Sequence, residues 1–348
     1  MAYTTINKGS DYFNTLIYTG DGTDDRSITG LGFQPDFCWF KDRTGANSHN
    51  LFDSVRGVNL PLLSNATNAE LTGFDLFNSF DSDGFTISGA TADNTNYNGS
   101  QFVSWSWKAG GTGVSNTNGS ITSTVSANTT SGFSIVSYTG NSTGGATIGH
   151  GLGATPQMII VKNRDRSSAG AWQVYHISNG ATKTMELNDT TGAYSSSTRW
   201  NNTAPTSSVF TVGSSLEVNG SGEDIIAYCF AEKKGFSKFG SYTGNGSTDG
   251  TFVYTGFKPA WVMVKRTDVA NSWRMLDATR DTYNVAKESL YANQSASETT
   301  LDTLDFTSNG FKIRSTSNNI NASGGTYIYM AFAENPFVGS DGTPTTAR

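Results

Sequence analysis

The sequence predicts an all-β protein of three tandem homologous β-sandwich domains, and three observations predict it. One phrase occurs three times: IYTGDGTDDRSITGLGFQPDFCWFKDR from Ile17, SYTGNSTGGATIGHGLGATPQMIIVKNR from Ser137, and SYTGNGSTDGTFVYTGFKPAWVMVKR from Ser241. Short runs rich in Val, Ile, Phe, Tyr, Trp and Thr are punctuated by Gly, Asn, Asp and Ser clusters, which is strand-and-turn chemistry. No long stretch has the 3.6-residue apolar period of an amphipathic helix; only AKESLYAN, near residue 290, reads as a helical turn or short helix.

The repeat keeps its landmarks at near-constant spacing, as a structural repeat must. Tyr18, Tyr138 and Tyr242 precede Pro35, Pro156 and Pro259 by 17, 18 and 17 residues. Lys41, Lys162 and Lys265 follow those prolines by six residues each, after the apolar runs DFCWF, QMIIV and AWVMV. A short alternating strand comes next, around Phe85, Phe210 and Phe311, and a closing apolar strand contains Trp107, Phe230 and Phe332. The units are 1–111 with an N-terminal arm, 132–235 and 236–348.

Each element has a local reason. The doubly apolar runs WVMV and MIIV read as central strands buried on both faces, and FTISG as a half-exposed one. The proline opens the central strand, where a missing N–H costs least. Thr-Gly followed by Asp or Asn and Gly reads as a hairpin turn, because these residues accept positive φ. Residues 112–131, rich in Gly, Ser, Thr and Asn, suit a flexible linker or an added polar edge strand, and the first unit is expected to be hinged or offset from the other two. Eight or so short strands per unit fit a jelly roll, a lectin-type sandwich or an immunoglobulin-like sandwich.

Composition narrows the function. The 348 residues carry a net charge of −6, with 15% charged and 12% aromatic residues, so the chain is a folded, turn-rich protein rather than a disordered one. No Lys/Arg cluster supplies the footprint of nucleic-acid binding. No apolar window approaches the roughly 18 residues of a membrane span, and MAYTTINKGSDYF is unlike a secretory signal, so synthesis and folding in the cytoplasm are expected. Cys38 and Cys229 lie in apolar strands of different repeats and read as buried, reduced thiols.

No nucleophile elbow, zinc-protease or phosphate-loop motif is present, and the expectation is a non-enzyme without catalytic residues, cofactor or metal. A carboxylate pair for glycoside hydrolysis is recognised by separation in space, so sequence leaves it open. His49 stands four residues before Asp53, a spacing suited to acid–base work on one strand face. The third repeat, however, keeps Asp277 and Arg280 as counterparts of Asp53 and Arg56 without the histidine, which favours a turn salt bridge; His176 occupies the place in the second repeat. DGTDD (21–25) and DSDG (81–84) resemble fragments of calcium loops but lack the spacing of a calcium-binding hand, and their counterparts are poorer in carboxylates, so turns are favoured. Among the aromatics, Tyr97, Tyr194, Trp200 and Tyr291 lie in polar segments and are the candidates for exposed glycan contacts.

The run from VSANTTSGFSIVSYTGN through IGHGLGATPQMIIVKNRD, WNNTAPTSSVFTVGSS and AYCFAEKKGFSKFGSYTGNGSTDG to SNGFKIRST and YIYMAFAENPF resembles a family of virion-associated proteins of tailed bacteriophages, described as tail-fibre or other structural proteins, many from marine hosts. The resemblance covers essentially the whole chain, including GFQPDFCWFKDR, and supplies no catalytic residues. It implies jelly-roll or lectin-like sandwiches, localisation in the virion, other virion proteins as partners, homo-oligomeric assembly and contact with a host surface glycan, without nucleic-acid binding or membrane insertion. A displayed fibre, spike or knob is the first expectation; a head-decoration or capsid-bound protein and a polysaccharide-degrading spike are the alternatives.

Overall fold

The computed structural model describes residues 4–89 and 94–336. It is almost entirely antiparallel β structure, and each repeat contributes a main sheet with the same strand order. In the first repeat the order is Phe13–Thr19, Gln101–Trp107, Phe37–Asp42, Asn50–Asp53 and Gly57–Leu62. The second runs Phe133–Thr139, Asp224–Ala231, Pro156–Asn163, Gln173–His176 and Lys183–Glu186; the third runs Ser237–Thr243, Thr326–Pro336, Phe257–Arg266, Arg274–Asp277 and Ala286–Tyr291. The last of these is the segment read as a helical turn. Its Ala286, Ser289 and Leu290 are buried as a strand whose neighbours complete its hydrogen bonding, and tertiary pairing overrides the helix propensity of AKESL.

Beneath each main sheet lies a smaller set of strands. Arg26–Thr29, Gly84–Ile87 and Phe77–Asp81 pair in the first repeat, and Ala146–Gly149 with Val209–Val212 in the second. In the third, Phe252–Tyr254, Gly310–Ile313 and Thr299–Thr307 join the main sheet through Ala286–Tyr291.

The central strands show why their sequences are apolar on both faces. Phe37 and Trp39 point one way, and Cys38 and Phe40 point the other, into a core private to the first repeat. Met158 and Ile160 likewise separate from Ile159 and Val161. The first member of each set enters a core shared by all three repeats. At its centre Trp107, Phe230 and Phe332, the closing landmarks of the three repeats, form a triangle with ring centroids 5.6–6.4 Å apart. Three main sheets therefore face one another, and truncating Trp107 to alanine removes a corner of that triangle and two of its three contacts, a loss of about 3–5 kcal/mol.

That shared core ties the first repeat to the other two, in place of the expected hinge. Within 112–131 the edge-strand alternative is what forms: Val114–Asn116 and Ser123–Asn128 extend the second main sheet beyond Phe133–Thr139.

The Tyr-Thr-Gly phrase is an arch rather than a hairpin turn. Phe13–Thr19 pairs with Gln101–Trp107, but the strand after the arch, Arg26–Thr29, pairs with Gly84–Ile87 in the small sheet. The buried tyrosine hydroxyls of Tyr18, Tyr138 and Tyr242 each donate to a carbonyl, that of Thr95, Val218 or Ile320, at 2.7 Å, as a buried phenol requires. The next residue in each case is a fully buried asparagine, Asn96, Asn219 or Asn321, whose side chain accepts from the arch and donates back into it. The arch glycines Gly20, Gly140 and Gly244 are needed for this approach, because a Cβ there would collide with the carbonyl oxygens of Tyr97, Gly220 and Ala322.

Candidate functional site

The buried polar groups concentrate at the three junctions between repeats. Asp53 accepts from Arg56 Nε at 2.5 Å and from Tyr228 Oη of the second repeat at 2.8 Å. Asp277 does the same with Arg280 Nε at 2.6 Å and Trp105 Nε1 of the first repeat at 3.0 Å. Next to each pair, a glutamate bridges two arginines: Glu70 binds Arg56 and Arg164, and Glu298 binds Arg280 and Arg43. The Asp–Arg pairs are thus the turn salt bridges favoured by the sequence, extended across repeat boundaries.

The histidines are structural at these boundaries. His49 accepts from Trp39 Nε1 on Nδ1, which leaves Nε2–H to donate to the Tyr291 carbonyl at 3.0 Å. Trp172 and Trp273 occupy the same place in their repeats and donate to the Leu63 and Glu186 carbonyls. Burial lowers the His49 pKa well below the usual histidine value and that of His176 to about 4, so both rings are neutral near pH 7. His49 does not touch Asp53, and the acid–base pairing is not formed.

Lys41, Lys162 and Lys265 are fully buried, with ammonium groups on backbone carbonyls; Lys162 reaches those of Thr67, Arg166 and Gly170. Burial lowers their pKa values to about 8, 7 and 8. Their ammonium groups gather loops into the junctions and are closed to solvent.

One surface feature breaks the repeat. Seven residues separate Arg56 from Leu63 and Asn179 from Glu186, but eleven separate Arg280 from Tyr291, whose carbonyl occupies the same junction position. The four added residues help form a cleft of about 520 Å³ lined by Arg280, Asp281, Tyr283, Asn284, Glu288 and Asp302, among others. Tyr283 is 84% exposed. The Asn284 side chain is pinned at both ends to the backbone of Phe306, while Asp281 Oδ2 accepts from the N–H groups of Lys287 and Glu288.

Desolvation and the hydrogen-bonded neighbour Glu298 raise the Glu288 pKa to about 7. Burial works to raise Glu298 too, but Arg43 and Arg280 hold it down at about 2. Below about pH 7 Glu288 is therefore a neutral acid beside a carboxylate fixed by two arginines. A hydrogen-bonded pair is closer than the roughly 5 Å of a retaining glycosidase, which needs the sugar between its carboxyl groups.

The four aromatic candidates do not assemble. Tyr97 is 56% exposed on the asparagine loop that packs against the first arch. Tyr194 is half-buried with its hydroxyl on Glu186 Oε1 at 2.7 Å, and burial pushes its pKa up to about 12. Trp200 is buried, only 2% exposed, against Tyr175, which corrects the expectation that it is exposed; a short helix turns its ring into the private core of the second repeat. Tyr291 is half-buried under Arg274, which donates to its hydroxyl.

The acidic segments act as turn caps. Asp21 accepts from Thr23 and Asn96, Asp81 from Ser79 and Thr86, and Asp83 from the N–H groups of Gly30 and Gly32. Among the described residues no three His, Cys, Asp or Glu side chains converge as a metal site. Cys38 and Cys229 are free and buried, and burial raises both thiol pKa values. No helix is long and apolar enough to cross a membrane among the described residues.

Sequence reasoning missed two elements. The Asn-x-(Asn/Ser)-Gly signature at Asn96, Asn219 and Asn321 was available as a further landmark. The insertion was available as a change in spacing between Arg280 and Tyr291, once those positions are aligned.

No curated protein and no solved structure matches this chain. A family model described as a domain of unknown function, DUF7483, matches residues 8–336. With that match spanning all three repeats, the chain belongs to the DUF7483 family.

Proposed function

We propose that the protein is a non-enzymatic structural component of a tailed-bacteriophage particle, displayed as a fibre, spike or knob that contacts the host surface. Its three repeats are read as tandem homologous β-sandwich domains of jelly-roll or lectin-like type. The observation that carries the reading is the use of buried polar groups: in every repeat the buried lysine, the arch asparagine and the Asp or His of the junction are engaged in holding loops and neighbouring repeats. Such a body presents polar loops on a rigid support. The whole-chain resemblance to virion-associated proteins supports the same reading, with other virion proteins and further copies of itself as partners.

Gold-labelled antibody imaging of intact particles tests it. Label at the tail end is expected. Label spread over the head would replace host contact with shell decoration, and particles that carry no label would overturn the reading. Release of reducing ends from host polysaccharide by the purified chain would overturn its non-enzymatic part.

A further inference from the structure

The third repeat carries a surface aromatic that its two counterparts lack. Its added segment is tied at both ends, by Asp281 to the N–H groups of Lys287 and Glu288 and by Asn284 to Phe306. Between those ties Tyr283 stands 84% exposed, and its hydroxyl makes no hydrogen bond within the described residues. The other repeats close the same connection four residues sooner, so the segment that carries Tyr283 is an addition that the common sheet order does without.

Asp302 lines the same cleft, is exposed on the strand Thr299–Thr307 and likewise has no hydrogen-bond or ion-pair partner within the described residues. The cleft volume of about 520 Å³ lies within the roughly 300–1,000 Å³ of small-molecule sites. An aromatic face and an unengaged carboxylate lining one cleft suit a ligand with an apolar C–H face and a rim of hydroxyl donors. Arg280 is paired with Asp277 and Glu298, which lie outside the lining, so Lys287 stands against the carboxyl groups of Asp281, Glu288 and Asp302 and the cleft is acidic. Such a lining repels anions and offers acceptors to a ligand's hydroxyl groups.

We propose that this cleft is a saccharide-binding site, with one pyranose ring stacked on Tyr283 and its hydroxyls donating to Asp302. The inference rests on the reading of the chain as a host-contacting protein and names the ligand class of that contact. Because the segment is fastened before the ligand arrives, little ordering is needed on binding.

The test is saturation-transfer NMR, followed by titration calorimetry, on the purified full chain with the methyl glycosides of glucose, galactose, mannose and N-acetylglucosamine and their β-linked and α-linked disaccharides. Saturable binding of at least one probe is expected, weakened at least tenfold by Tyr283→Ala, several-fold by Asp302→Asn and little by Tyr283→Phe. Both side chains are exposed, so thermal unfolding of the variants should match that of the parent chain. Binding of none of the probes, or binding that survives Tyr283→Ala unchanged, overturns the site. The particle-labelling result is separate: label on particles without glycoside binding removes the saccharide site and leaves display standing, whereas binding by a chain absent from particles does the reverse.

Discussion

Two of the three junctions carry a buried Asp–Arg–Glu set and the third has a neutral histidine in its place, although the same backbone contacts form all three. The main-chain N–H groups of Glu70, Ala193 and Glu298 donate to the carbonyls of Arg164, Thr267 and Arg43 in the neighbouring repeat. Where the first and third repeats place Asp53 and Asp277, the second places His176; where they place Arg56 and Arg280, it has Asn179; where they place a glutamate, it has Ala193. The facing residue changes in step. Tyr228 and Trp105 donate a side-chain hydrogen to the aspartates, but their counterpart is Met330, which has no such donor, and His176 donates instead to the Tyr329 carbonyl at 3.2 Å. The geometry of the ring is thus set by sheet pairing and the apolar core. The polar chemistry is interchangeable so long as donors and acceptors are replaced together.

The comparison breaks most directly by removing one partner of a buried pair. Asp53→Ala leaves the Arg56 guanidinium, fully buried, without its nearest carboxylate, and a loss of about 3–5 kcal/mol in denaturant unfolding is expected. His176→Ala at the neutral junction leaves the Tyr329 carbonyl and the Ser178 N–H without their ring partner, together with a small void, but strands no charge and should cost less. If the two losses were equal, charge would not distinguish the junctions.

Acid separates them next. The His176 pKa is about 4 when folded, below the roughly 6.5 of an unfolded histidine, so the unfolded state takes up the proton first. Stability therefore falls as pH drops from about 6.5 to 4, by about 3 kcal/mol for this ring. Glu298, held at about 2, keeps its contribution until the pH falls below the ordinary glutamate range. His176→Gln should flatten the limb between pH 6.5 and 4 and leave the lower limb in place; His49 keeps part of the upper limb. Unfolding midpoints measured from pH 7 to pH 3 decide this, and an unchanged upper limb would remove His176 from the account.

Tyr228→Phe and Trp105→Phe are finer cuts. Each removes one donor to a buried aspartate while its arginine remains, for an expected loss of about 1.5–3 kcal/mol. The counterpart change Met330→Leu removes no donor and should cost under about 1.5 kcal/mol. Calorimetric melting of the three variants ranks them.

Much of the fold is legible in the sequence because a repeat supplies its own internal comparison. Tyr18, Pro35, Lys41 and Trp107 each announce a role by returning at fixed spacing, and the two-sided burial of FCWF, MIIV and WVMV follows from their unbroken apolarity. What the landmarks do not reveal is their partners. A buried tyrosine hydroxyl and a glycine at Gly20 look like turn chemistry until the asparagine loop is seen to press against them, a contact between segments some 77 residues apart. The joining of three cores into one is equally hidden, since Trp107 needs only to be apolar whether it meets its own sandwich or two others. The cleft is written as a change of length, which marks a place but says nothing of Tyr283 being exposed or of Asp302 lining the same cleft.

The smallest effect is expected where the charged junction meets the cleft. Glu288 has no acidic counterpart; Leu60 and Lys183 stand in its place. Its folded pKa of about 7 lies above the roughly 4.5 of an unfolded glutamate, so here the folded state holds the proton longer, and stability falls as pH rises from about 4.5 to 7. Glu288→Gln keeps a neutral hydrogen-bond donor beside Glu298 and removes that dependence. Below pH 4.5 variant and parent should unfold together. Above pH 7 the variant should be the more stable, by about 1 kcal/mol or less, because Glu288 is only partly buried and water screens its repulsion from Glu298. A variant less stable than the parent at pH 8 would mean that the Glu288 charge supports the junction through Arg43 rather than straining it, and the third repeat would then owe its extra carboxylate to the ring and not to the cleft.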